Sequence, residues 1–176
     1  MELKTNRKIV IAVQLISVIF LTLIDQLIKY AVVEQLKPVG RVLVIDGFLA
    51  WTYAENTGAA FSIFSGNTDF LSVFTAIALI VGICYLFISK HHNIIYDICI
   101  PLLLAGGAGN LIDRVARGFV VDYIQVLFIN FPVFNFADCL VTCSAIALMV
   151  YLIIDMIRDI KEEKEKKTES AEQTNG

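Results

Sequence analysis

Charge is scarce in this chain, and about half of what there is lies in two tails. Only 18% of the 176 residues are charged, so the formal net charge of -3 says little about partners. No basic stripe with interleaved aromatics occurs, which removes the electrostatic footprint of a nucleic-acid binder. Cysteine is limited to Cys84, Cys99, Cys139 and Cys143, all inside apolar runs where a thiol packs as a small hydrophobe. A secreted disulfide framework is excluded. Cys139 and Cys143 share a helix face at i,i+4, but no histidine or second cysteine pair stands nearby, so no metal site is expected. The only histidines, His91 and His92, follow Lys90 and read as a solvated turn.

What the chain has instead is apolar length. It is 57% hydrophobic with a mean hydropathy of +0.74, outside the range of ordinary soluble domains. About 20 mainly apolar residues cross a hydrocarbon core, and four segments qualify: Ile9 to Val33, Phe70 to Ser89, Ile94 to Ile112 and Asn135 to Ile157. The first follows Lys4, Arg7 and Lys8 like the start of a signal peptide. No small-x-small cleavage site precedes Asp25, however, and it reads as an uncleaved first helix. Nor does the chain carry a lipidation signal of its own, since the bulky Ile83 precedes Cys84. The third segment holds Pro101 and the run Gly106, Gly107, Ala108, Gly109, tolerable only where neighbouring helices pack closely and re-satisfy its backbone.

Basic residues flank the first span, fall between the second and third at Lys90, and follow the fourth at Arg158, Lys161, Lys164, Lys166 and Lys167. Both termini are therefore expected in the cytoplasm, although Lys37, Arg41, Arg114 and Arg117 dilute the bias. The expected architecture is an all-α integral membrane protein of four transmembrane helices. A small β-rich cradle, Val42 to Ile45 and Phe48 to Tyr53, should lie outside between helices 1 and 2. Residues 1–159 read as one membrane domain. Residues 160–176 read as a charged cytoplasmic tail, helical at first through i,i+4 Glu–Lys pairs and then dissolving into polar sequence.

This topology gathers polar groups at one membrane face. Asn110, Asp113 and Arg114 stand at the exit of the third span, Asp122 in the outer loop, and Asn135 and Asp138 at the entry of the fourth. Ionisable groups at membrane depth are costly and point to function. Each has a plainer reading: Asp113 can pair with Arg114 or Arg117, and Asp138 can cap the fourth helix. Together, two carboxylates can supply an ionised base and a protonated acid, because neighbouring carboxyls cannot both ionise. A serine–lysine reading, Lys29 with Ser62 or Ser65, lacks a nucleophile motif. A transporter or scaffold that uses its aspartates for ions or helix pairing is the alternative from another class.

Five ordered segments carry a resemblance: DQLIKY (Asp25 to Tyr30), ENTGAAFSIF (Glu55 to Phe64), GGAGNLIDRV (Gly106 to Val115), GFVVDYI (Gly118 to Ile124) and FPVFNFADC (Phe131 to Cys139). From Val10 to about Ile157 the chain resembles the lipoprotein signal peptidases, also called signal peptidase II. The resemblance implies an aspartic endopeptidase with Asp122 and Asp138 as catalytic dyad. It implies that Asn56, Gly58, Asn110, Asp113, Arg114 and Asn135 shape the substrate cleft or brace the dyad. The implied substrate is a diacylglyceryl-modified prolipoprotein, cut on the N-terminal side of its lipidated cysteine at the outer face of the bacterial inner membrane. Membrane lipids are the other expected partners, a monomer the expected state, and no cofactor or metal is implied. The interval from Asp122 to Asp138 is somewhat short for the family. Asp25 and Lys29, one turn apart, read as an ion pair with a structural or lipid-headgroup role, and Trp51, Tyr53 and Phe61 as interfacial anchors in preference to a lid.

Overall fold

The computed structural model describes residues 6–58, 67–89 and 93–174, with side chains described up to 166. Phe61, Ser62, Ser65, Lys90, His91 and His92 lie outside the described residues. The elements in order are α1 (Arg7–Ala31), a π-helical turn (Val32–Leu36), β1 (Arg41–Ile45), β2 (Leu49–Asn56), α2 (Thr68–Ile88), α3 (Ile94–Arg117), β3 (Val120–Val126) and α4 (Phe136–Thr174). Among the described residues four helices are long and apolar enough to cross a membrane, as the sequence leads one to expect. Leu27, Ile19, Phe74 and Ile88 are among many apolar side chains left on the outer surface, where lipid rather than protein would cover them.

Helix α3 is the most buried of the four and packs against all the others. Its glycines explain how. A methyl on Gly106 would stand 2.4 Å from the Ala137 carbonyl oxygen of α4, one on Gly109 would stand 2.3 Å from Asp25 Oδ2 of α1, and one on Gly107 would meet Leu79 of α2. The small-residue run thus lets three helices close on one.

Pro101 sits inside α3 and offers no N–H, so the Asp97 carbonyl one turn earlier loses its helical donor. Gln14 of α1 supplies a replacement, donating to Asp97 O at 3.3 Å and to Asp97 Oδ1 at 2.9 Å. Further along, Thr22 donates to the Ala105 carbonyl at 3.3 Å and Gln26 to the Gly109 carbonyl at 3.0 Å. All three contacts span 83 residues, so α1 and α3 run parallel in constant register. In an apolar medium these few polar side chains are the glue between the two helices.

Two features depart from expectation. The sheet is three-stranded and antiparallel in the order β1-β2-β3, so Asp122 lies on a strand and not in a loop, and the third strand comes from between α3 and α4. The β-branched run Val120, Val121 with Tyr123 and Ile124 carries that strand signal. Secondly, α4 continues unbroken to Thr174, because the Glu- and Lys-rich tail contains good helix formers and no glycine or proline before Gly176.

The glycine contacts are testable by melting the purified protein in detergent. Gly106→Ala presses its methyl against a backbone oxygen that cannot yield, and should destabilise by about 1–3 kcal/mol. Gly82→Ala meets only the end of the flexible Leu104 side chain, at 2.7 Å, and should cost clearly less. Equal costs would remove the close α3–α4 approach as the reason for Gly106.

Candidate active site

Strand β3 leaves α3 through Gly118, whose left-handed backbone (φ 79) closes the helix with its N–H on the Arg114 carbonyl. Asp113 then accepts from the Val121 N–H at 3.0 Å, which fixes the start of the strand one residue before Asp122. On one side β3 pairs with β2, Ala54 opposite Asp122. On the other, Ile124 exchanges backbone hydrogen bonds with Phe134, 2.7 Å and 3.0 Å, and this bridge brings the next residue, Asn135, alongside Asp122.

Asn135 and Asp138 open α4 with a reciprocal capping box. The Asn135 Oδ1 accepts from the Asp138 N–H at 2.9 Å, and Asp138 Oδ2 accepts from the Asn135 N–H at 3.0 Å. Asp138 is therefore a helix cap, as its plainer reading has it, and one of its carboxylate oxygens is held by that duty. The other, Oδ1, accepts from Asn110 Nδ2 at 2.8 Å. Asp122 accepts from Asn135 Nδ2 at 2.6 Å and from Asn56 Nδ2 at 2.9 Å. Asn135 thus holds both carboxylates, Asp122 through its amide and Asp138 through its backbone.

Every asparagine here has its amide orientation set by a group with no choice of role. Asn56 Oδ1 accepts from the Gly58 N–H at 2.9 Å, Asn135 Oδ1 from the Asp138 N–H, and Asn110 Oδ1 from the Lys29 ammonium at 2.8 Å. Each oxygen is thereby engaged, and each NH2 group is left to face a carboxylate. Asp122 is almost fully buried while Asp138 is only half-buried. Burial, then the charge of Asp138, push the Asp122 carboxyl up to about 7, against the pull of the hydrogen bonds from Asn56 and Asn135. At neutral pH one site thus holds a carboxyl able to keep its proton beside another that only accepts hydrogen bonds. Such a pair can take a proton from water and give one to a carbonyl.

Of the other residues singled out, Gly58 gives its carbonyl to Arg114 Nη2 at 3.2 Å. Arg114 is half-buried, its charge acts on Asp138 and Asp122, and its Nε is buried with no hydrogen-bond partner. Asp113 is fully buried and pairs with Arg117, as its plainer reading has it, and also with Lys29 at 3.2 Å, while it holds the start of β3 through the Val121 N–H. Asn135 is also fully buried and bonds to both carboxylates. Lys29 is the residue the sequence undervalued. Its pair with Asp25 is present at 2.9 Å, but both are fully buried, which excludes a headgroup role. The signal was its placement, since a lysine facing inward near a helix end needs a buried counter-charge. Trp51 packs against Tyr123, ring centroids 5.9 Å apart, with Trp51 exposed at the sheet surface.

Fold and site together define a class: a polytopic helical membrane protein with two carboxylates joined through asparagine at one membrane boundary. The signal peptidase (SPase) II family model matches residues 17–154, and the chain belongs to that family. It is 40% identical to the lipoprotein signal peptidase of Lactiplantibacillus plantarum over 86% of this chain and 99% of that one. With the lipoprotein signal peptidase of Staphylococcus aureus it shares 34% identity over 92% of this chain and 98% of that one. A solved bacterial membrane enzyme superposes with a TM-score of 0.75 at 34% identity, covering 82% of this chain and 90% of the other.

The raised Asp122 carboxyl has a consequence for stability. Its folded value lies above its unfolded one, so the folded protein holds the proton more tightly between about pH 4 and 7. Stability is favoured below that window and falls as pH rises through it, by a few kcal/mol in all. Asp122→Asn cannot ionise. The melting temperature of this variant minus that of the unchanged protein should therefore rise from pH 5 to pH 8; a difference that is flat across this range would show that Asp122 ionises without penalty.

Proposed function

We propose that Asp122 and Asp138 are the catalytic dyad of an endopeptidase that removes the signal peptide from diacylglyceryl-modified prolipoproteins, cutting before the lipidated cysteine. The observation that carries the reading is the single residue, Asn135, bonded to both carboxylates while Asp122 is pushed to about 7. In the reaction the ionised carboxylate takes a proton from water as its oxygen bonds to the scissile carbonyl carbon. The protonated partner donates to the carbonyl oxygen, which becomes the hydroxyl of a tetrahedral intermediate. Collapse breaks the C–N bond as the proton taken from water passes to the leaving amine, and one hydroxyl of the intermediate returns its proton to the other carboxylate as the carbonyl re-forms, which restores the pair. Arg114, whose Nε has no partner, offers a donor for a backbone carbonyl of the bound peptide.

The molecule lies in a bacterial membrane with both termini in the cytoplasm and the site at the outer face. The basic residues around α1 and after α4 support this, as does the geometry of the site. It is built from the ends of α1 and α3 and the start of α4, which share one boundary in a four-span chain. A substrate whose lipid and apolar signal segment rest in the bilayer would present its scissile bond at that depth.

Two expectations follow. Asp122→Asn and Asp138→Asn should each abolish conversion of a diacylglyceryl precursor, by at least about a thousandfold, in a folded protein. The double variant should be scarcely worse, since the two groups act as a unit. Substantial turnover by either single variant would remove the dyad. For orientation, Gly40 and Gly118 are poor cysteine sites because their φ values are 78 and 79. Val44 and Phe128 are exposed and on the sheet side, and Glu162 is exposed beyond α4's apolar stretch. With the native cysteines replaced, a membrane-impermeant thiol reagent on intact cells should label cysteine at 44 and 128 but not at 162; the reverse pattern would invert the molecule.

A further inference from the structure

Behind the two carboxylates lies a fully buried lysine whose three ammonium donors are all committed, to Asp25 at 2.9 Å, to Asp113 at 3.2 Å and to Asn110 Oδ1 at 2.8 Å. The first two contacts balance its charge. The third does something else. The Asn110 oxygen accepts from the ammonium and, at 3.2 Å, from Asn135 Nδ2, so the amide is held with its nitrogen toward Asp138, and the ammonium is the charged group of the two. The nitrogen then donates to Asp138 Oδ1.

We infer that Lys29 is a positioning residue for hydrolysis, acting through the Asn110 amide to hold Asp138 in its ionised form and so to leave the shared proton on Asp122. The inference rests on the dyad reading above and deepens it. Three further observations point the same way. Asp138 takes its second hydrogen bond from a backbone N–H at the start of α4, where the helix dipole favours an anion. It is half-exposed, while Asp122 is buried on a strand with no such dipole. Asp122 receives its hydrogen bonds from the amides of Asn56 and Asn135, and burial, then the charge of Asp138, push its carboxyl upward against those bonds and the smaller pull of the Lys29 charge.

The charged and titratable groups around this relay come from each packed element. Asp25 lies on α1, Asp113, Arg114 and Arg117 on α3, Asp122 and Tyr123 on β3, and Cys139 next to Asp138 on α4. Glu55 of β2 is exposed and paired with Lys37, and Asp69 of α2 is exposed. Lys29 and Arg117 offset Asp25 and Asp113, so the network behind the dyad is neutral as it stands.

That neutrality suggests a variant that keeps the fold. Asp25→Asn with Lys29→Gln removes one charge of each sign and retains hydrogen-bonding groups of similar length. The readout is the pH profile of kcat for a diacylglyceryl precursor with the full chain in lipid. The acid limb reports protonation of the base, so loss of the ammonium should move it to higher pH, by about one pH unit. At pH values below the acid limb kcat should fall about tenfold, with KM within about twofold. Asp25→Asn alone, which leaves the ammonium in place, should not raise the acid limb. In an Asn110→Ala background, removing Lys29 and Asp25 together should move it no further. An acid limb unmoved in the folded double variant, or moved equally with and without Asn110, would reduce Lys29 to a structural counter-ion. Failure of the unchanged protein to process the precursor would instead sink the peptidase reading itself.

Discussion

One ammonium group ties the functional end of this molecule together. Lys29 stands on α1 and bonds to Asp25, whose other oxygen receives the Ala137 N–H of α4 at 3.2 Å. It bonds to Asp113 of α3, which in turn receives the Val121 N–H of β3. Through Asn110 it reaches Asp138. Three helices and the strand that carries Asp122 are thus referred to a single charge. Such a cluster gains little over apolar packing, because desolvation cancels most of the attraction, but breaking it by removing one partner typically costs about 3–5 kcal/mol. Its value is that the arrangement has few alternatives: a buried cation with three donors permits one placement of its neighbours.

The glycines of α3 make that arrangement reachable. Asp25 Oδ2 lies where a Cβ on Gly109 would be, and the α4 backbone lies where a Cβ on Gly106 would be. With any larger residue at these points, α1 and α4 would stand further off. The chain Asp25, Lys29, Asn110, Asp138 would then open beyond hydrogen-bond reach. Helix α2 takes no part in this chain and packs on α3 from the other side, against Gly107 and Leu104. The helix with no site residue among those described is also the one with the most uniformly apolar sequence.

Much of this was legible in the chain, and what was not has physical reasons. The four spans could be read because apolar length is a local property, and the family because its motifs are ordered along nearly the whole sequence. The convergence of Asn110, Asp122, Asn135 and Asp138 followed from topology alone. Strand β3 was hidden because its partner, β2, lies more than sixty residues earlier and its second partner is a single residue, Phe134. The role of Asp113 was obscured because a carboxylate beside Arg114 and Arg117 in sequence gives no sign that Lys29, from another helix, would claim it. Asp138 showed the limit most clearly. Its cap reading and its dyad reading competed on the page, and the structure has it capping α4 while facing Asn110, one oxygen for each contact.

That shared use of Asp138 suggests why the two carboxylates differ in setting. A cap at a helix start is a place where a carboxylate is welcome as an anion, since the N–H donors there have no other partner. A buried position in the middle of a strand is a place where it is welcome only with its proton. The fold therefore does not need two finely adjusted acids; it needs one at each kind of position, with an asparagine between them. The buried one carries the cost of the asymmetry, because its ionised form is disfavoured over the range in which a peptidase works. An asparagine at 122 would relieve that cost and leave nothing to hold a proton, so this part of the fold gives up stability to keep the site asymmetric.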